Sequence, residues 1–366
     1  MADAIITDVV QEVSRILTAG DVVVDELKII GEELIGVLGG IYSRLVMRFH
    51  QCKVDSSEGR LEEPEVDGDV RREWRLPAGE DDYLKELVSI VLESTNVKAI
   101  DVLSDQRPEY REVIEQFLQG LCTNHTIVSA RFDLRSGAKR TSGMLDKSAD
   151  MLCHNIGLKR FSLDLFRTEG RTTKHSGFGN ALKMNHTLQH LELQLPVHVE
   201  LDLEELVQPL IMDENGHQAN STLTALRVSG LSTMSSVGAS FARMLQKNSS
   251  IKHFDLRTPS TSESDVQELI RSLVENHSLE TLNLSYCNGV KGSVFPTIMD
   301  VLLVNFTLKD IGLVGTPLHA KGKHFAIKEQ LRRNAMSKEL HLKNLIMARP
   351  TSARVIFCGS PYAGTP

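Results

Sequence analysis

"NHSLETLNLS" occupies residues 276–285, and its first three residues, Asn276, His277 and Ser278, form an N-x-S sequon. The same Asn also opens a pattern in which Leu279, Leu282 and Leu284 follow three, six and eight places later. One reading puts a sugar acceptor on a secreted surface. The other makes Asn276 one beat of a repeat, and near-copies decide for it. They begin at Asn124 (NHTIVSARFDL), Asn155 (NIGLKRFSLDL), Asn185 (NHTLQHLELQL), Asn220 (NSTLTALRVSG), Asn248 (NSSIKHFDLRT), Asn305 (NFTLKDIGLVG) and Asn334 (NAMSKELHLKN). With Asn276 in its place the intervals are 31, 30, 35, 28, 28, 29 and 29 residues. A weaker copy, STNVKAIDVLS, begins at Ser94, 30 residues before Asn124, which makes nine units.

The core spacing is Leu-x-x-Leu-x-Leu at a period in the high twenties, the leucine-rich-repeat pattern, and its last two apolar residues alternate as in a strand. Each copy follows an amphipathic stretch such as SESDVQELIRSLVE, where Val266, Leu269, Ile270, Leu273 and Val274 share a helical face. Asn tolerates the left-handed conformation that ends many helices, so it is expected to turn the chain from helix into strand. The fold class expected is α/β: a leucine-rich-repeat solenoid, a horseshoe with parallel strands inside and helices outside, preceded by an N-terminal helical segment. In period and helix content it resembles the ribonuclease-inhibitor class of leucine-rich repeats over residues 83–345. The long 185–220 interval and the stretch DLRSGAKRTSG from Asp133 are expected to bulge out of the stack without breaking it.

Three further segments complete the organisation. Residues 1–53 read as a helical hairpin: Ile5, Ile6, Val9, Val10, Val13, Ile16 and Leu17 line one helix, and Leu27, Ile30, Leu34, Leu38, Ile41, Leu45 and Phe49 a second. It would serve as an end cap or small bundle, or, if exposed, as a membrane-surface or oligomerisation helix. Residues 54–82 read as an acidic linker, with eleven acidic residues against four arginines between Asp55 and Asp82; that balance equals the −7 of the whole 366-residue chain. Residues 346–366 read as a C-terminal strand and a phosphate-loop-like tail.

The N-terminus carries Asp3 and Asp8 where an export signal would be basic. The longest nearby uncharged run, Leu34 to Ser43, is too short to span a bilayer. Cys52, Cys122, Cys153, Cys287 and Cys358 are odd in number and widely spaced, so reduced thiols, mostly at core positions, and a cytoplasmic protein are expected. No basic field exists to attract nucleic acid. The histidines recur at repeat phases and no metal-ligand or nucleophile motif occurs, so neither catalysis, nor a metal, nor a cofactor is expected.

In this class the residues flanking the last two core positions face the concave side. That places Arg131 and Asp133, then Arg160, Ser162 and Asp164, then His190 and Glu192, on one polar surface. Arg227, then His253, Asp255 and Arg257, then Asn283, continue it, as would Glu339, His341 and Lys343 of the last copy. A mixed-sign surface of this kind suits a protein partner, with hot spots resting on arginines; oligomeric state is not legible. After the last copy, RVIFCGSPYAGTP frames Gly359 and Gly364 at phosphate-loop spacing. This resembles the junction between repeats and GTPase domain in Roco proteins, particularly the plant TORNADO-like members. The resemblance implies a Lys and a hydroxyl residue next, where this chain has Thr365 and Pro366, so nucleotide binding is not expected. Two functions follow: an intracellular, non-catalytic protein-interaction scaffold, or the regulatory N-terminal part of a Roco-type GTPase whose catalytic domain is missing from this chain.

Overall fold

The computed structural model describes residues 26–34, 42–50, 72–76, 81–95, 97–105, 108–135, 141–165, 173–196, 199–231 and 237–347. Each repeat unit contributes a strand followed by a helix. β4 (Ala99–Asp105), β5 (Ser129–Arg135), β6 (Arg160–Leu165), β8 (His190–Gln194), β10 (Ala225–Ser229), β11 (His253–Arg257), β12 (Thr281–Asn283) and β13 (Asp310–Gly312) lie side by side in that order. All eight are parallel, and the sheet is open. The helices are α1 (Asp81–Glu93), α2 (Pro108–Leu121), α3 (Thr141–His154), α4 (Phe178–Met184), α5 (Leu203–Val207), α6 (Val237–Lys247), α7 (Glu263–Ser272) and α8 (Phe295–Leu302), each packed on the next.

Why the sheet has one dry face is plain from the pleat. In β8, Leu191 and Leu193 are buried while His190, Glu192 and Gln194 on the opposite side are half-buried. The core positions of the pattern are all inside: Leu279, Leu282, Leu284, Leu308, Ile311 and Leu313 are each at most 3% exposed. Phenylalanines fill the layer between strands and helices, with Phe117, Phe132 and Phe161 in a chain of ring contacts and Phe241 5.0 Å from Phe254. The helices start on local signals. Ser262 and Asp265 form a reciprocal capping box ahead of α7, whose Val266, Leu269, Ile270 and Leu273 are buried. Val274, expected on that face, is exposed.

The repeating Asn does something other than turn the chain left-handed. Asn185 is extended (φ −87°, ψ 119°), and the only non-glycine residue with positive φ among those described is Tyr286. The work is done by the side chain. In Asn276 the Oδ1 accepts from the backbone N–H of Ser278 and Leu279 at 3.1 and 2.7 Å. Its Nδ2 donates to the carbonyls of Leu245 and Asn248, one unit back. Asn155, Asn185, Asn220 and Asn305 repeat all four bonds, each Nδ2 reaching a leucine at the end of the previous helix and the carbonyl of the previous Asn. These amides answer carbonyls that a helix end leaves without partners. At the long interval the ladder is patched: Asn248 keeps its bonds to Leu210 O and from the N–H of Ser250 and Ile251, but Gln218 Nε2 takes its place as donor to Asn220 O. Within the long interval β9 (Val199–Leu201) pairs with β7 (Thr173–His175) of the preceding unit in a second sheet, and residues 213–217 form an exposed turn, while the main sheet runs on unbroken.

Two segments correct the expectations. Where a second helix is expected over Leu27 to Phe49, the described residues form strands: β1 (Glu26–Leu34) pairs antiparallel with β2 (Tyr42–His50), and β2 pairs antiparallel with β4. Gly31, Gly36, Gly39 and Gly40 each weigh against a helix there by about 1 kcal/mol. The first strand of a parallel stack also presents a bare edge, which β2 covers. β3 (Arg72–Leu76), inside the supposed linker, pairs parallel with β1. At the other end, Asn334 stands within a helix, α10 (His324–Met347), so Glu339, His341 and Lys343 form no ninth strand. Asn334 still donates to Leu302 O and Asn305 O and closes the ladder. The remaining helix is the short α9 (Pro317–Ala320). The first helix expected at the N-terminus and the tail with Gly359 and Gly364 lie outside the described residues.

Candidate functional site

The sheet face away from the helices lines an open groove of about 1460 Å³. Strand register sorts its side chains into rows that cross the strands. The middle row runs Asp101, Arg131, Ser162, Glu192, Arg227, Asp255, Asn283 and Gly312. A second row, two residues earlier on each strand, runs Ala99, Ser129, Arg160, His190, Ala225, His253, Thr281 and Asp310. A third, two residues later, includes Asp133, Asp164, Gln194, Ser229 and Arg257.

Of the residues expected on this surface, Arg131, Arg160, Ser162, His190, Glu192, Arg227, His253, Asp255 and Asn283 line the groove together. Asp133, Asp164 and Arg257 stand in the third row and do not, Asp133 being buried. Several lining residues are not apparent from the repeat. Asp101 belongs to the first unit, which lacks the Asn marker, and Ser129 and Ala225 share the phase of Arg160 and His190 but are too small to attract attention. Lys159, Lys252 and Val314 also line it.

The centre of the groove is knitted together electrostatically. Arg227 reaches Glu192 at 2.9 Å and Asp255 at 2.8 Å. Arg257 takes both oxygens of Asp255 at 2.9 and 3.0 Å, and Asn283 donates to it at 3.1 Å. Burial by itself would lower the Arg227 pKa, but Glu192 and Asp255 outweigh it and hold the guanidinium above its usual value. His253 Nδ1 lies 2.7 Å from Thr281 Oγ1. His190 differs: burial, Arg160 and His253 together push its pKa down to about 4, so its ring is neutral at ordinary pH.

Among the described residues no cluster of His, Cys, Asp or Glu could hold a metal ion, and no helix is long and apolar enough to cross a membrane. Cys287 is buried, whereas Cys122 and Cys153 are half-buried rather than in the core. None of the three is in a disulfide, and burial raises all three thiols. The sequon asparagines Asn124, Asn185, Asn220, Asn248, Asn276 and Asn305 are all buried.

No protein-family model matches the chain. It is similar to Protein TORNADO 1 of Arabidopsis thaliana, 27% identical over 241 residues, which is 63% of this chain and 17% of that protein. The chain therefore spans about a sixth of that relative's length. Among solved structures it matches the tropomodulin C-terminal domain of Caenorhabditis elegans at 13% identity and a TM-score of 0.29, covering 39% of this chain and 80% of that one. It also matches leiomodin-1 actin-binding site 2 at 14% identity and a TM-score of 0.21, covering 65% and 82%. Scores this low carry no weight for the fold or for partners.

Proposed function

We propose that this chain is a non-catalytic, intracellular scaffold that binds a protein partner through the groove face, and that its sheet is the inner layer of a leucine-rich-repeat solenoid of the ribonuclease-inhibitor class. The observation that carries this reading is the groove itself: ordered rows of polar side chains of both signs, continuous over eight strands, on a face that none of the described helices covers. The arginine–carboxylate network at its centre fixes side chains in place before any partner arrives, which lowers the ordering cost of binding. Both signs on one surface disfavour a polyanion such as nucleic acid. The amides of the sequon asparagines, spent on bonds between units, favour a chain that is not glycosylated.

Ala225 supplies the test, because it sits half-buried on the groove floor between His190 and His253. The full wild-type chain, immobilised, should retain a protein from its own cells that the Ala225→Trp variant loses, with both forms melting alike. Equal retention by both would remove the groove from the account.

The second reading is the regulatory N-terminal part of a Roco-type GTPase. The observation favouring it is that the similarity to TORNADO 1 covers only 17% of a much longer protein. A transcript reading past Pro366 into a GTPase domain would establish it, and a stop codon directly after Pro366 in every transcript would exclude it.

A further inference from the structure

The groove's arginines fall into two kinds. Arg227 and Arg257 are committed to Glu192 and Asp255. Arg131 on β5 and Arg160 on β6, in contrast, have no ion pair or hydrogen bond to their guanidinium groups among the described residues, although Asp101 stands across from Arg131 in register. Arg160 is half-buried, and its burial holds it below its usual pKa with no nearby carboxylate to offset the loss of water. A guanidinium kept partly dry and unpaired is destabilising until an anion meets it.

The neighbours extend the pattern. Arg160 is in register with His190, and small Ala225 separates His190 from His253, so this row meets no carboxylate until Asp310. The depressed His190 reports the same local field, since Arg160 and His253 are among its causes. Lys159 and Lys252 precede Arg160 and His253 along their strands and line the same rim.

We propose that Arg131 and Arg160, at the β5–β6 end of the groove, recognise carboxylate side chains of the partner, which presents an acidic segment of protein laid across the strands. This rests on the reading of the groove as the binding face and names the chemistry it selects. Arg presents a planar fork that two carboxylate oxygens fit together, and Arg131 and Arg160, diagonal to each other on adjacent strands at about 7–8 Å, suit a segment with closely spaced Asp or Glu residues. Glu192 and Asp255 further along the groove oppose a longer polyanion.

The experiment is selection of dodecapeptides displayed on phage against the full chain, followed by anisotropy titration of the synthetic peptides. Enriched peptides should be richer in Asp and Glu than the input, bind more weakly as salt rises, and lose about tenfold or more in affinity on Arg131→Gln/Arg160→Gln. Arg243→Gln, which removes an arginine paired with Glu204 between helices, should leave affinity unchanged. Enrichment of neutral or basic peptides, no enrichment at all, or equal affinity of the double variant would overturn the proposal. Should the double variant fail to fold, a flat salt response of the wild-type complex would overturn it equally. If Ala225→Trp abolishes partner capture while the selected peptides are uncharged, the groove reading survives and only this inference falls.

Discussion

Asn276 makes four hydrogen bonds with one amide, three of them buried, two within its own unit and two to the unit before. Asn276→Ala removes the partner of two N–H groups and two carbonyls, at roughly 1–3 kcal/mol for each of them that finds no other partner. A loss of about 3–5 kcal/mol in urea unfolding is expected, whereas replacing the exposed neighbour His277 by Ala should change little. Similar midpoints for the two variants would contradict the ladder. The phase of this Asn was legible in the sequence, but its role was not, because bonds between residues 28 to 38 apart leave no trace in a single copy. His190 makes a second case at this scale. Folded, it titrates near 4; unfolded, near 6.5. Between those values the unfolded chain binds the extra proton, so stability is present above the unfolded pKa and is lost as pH falls through the window toward 4. His190→Gln should therefore flatten the decline of thermal stability from pH 6.5 to 4.5, and an unchanged decline would show that His190 is not held neutral.

A strand tolerates no error of register, since a shift of one residue exchanges core and groove faces. Leu282 is 1% exposed against the helices, while Thr281 beside it faces the groove next to His253. Leu282→Asp is expected to abolish the cooperative melt and Thr281→Asp to leave it nearly intact, as followed by circular dichroism. The reverse order would mean that the faces are exchanged. The strands of the middle units could be read in advance because each combines its Asn marker with apolar residues at fixed offsets. The two misread elements show the limit of that signal. Leu27 to Phe49 fits a helical spacing as well as a strand pairing, and the decision falls to four glycines and to the edge of β4, a long-range feature. The last copy keeps only two of the three core positions, Leu340 and Leu342, with Ser337 in the third, and Ala335 to Leu345 contains no β-branched residue and is rich in helix formers, so local propensity carried α10 through it.

For the whole molecule, the stack of units holds the strands in register and leaves one polar face open as the groove. Half of the candidate site followed from alternation alone, because whatever is polar beside a core position must point away from the helices. Which of those side chains pair with one another did not follow, since Arg227 bridges Glu192 and Asp255 on two neighbouring strands that lie far apart in sequence. The glycine-framed tail with Thr365 and Pro366 lacks the Lys for phosphate and the hydroxyl for magnesium. Calorimetric titration of the full chain with GTP and magnesium is expected to give no saturable isotherm, and a micromolar one would reveal a nucleotide site in this chain.

The central claim, that the groove is where a protein partner sits, is tested most directly by photo-crosslinking in the protein's own cells. A benzophenone amino acid placed at Ser162 lies in the groove, and one placed at Glu112 lies on the exposed side of α2. The account predicts one discrete crosslinked protein from position 162 and none from position 112. A crosslink from position 112 with none from 162 would place the binding surface on the helices and contradict it.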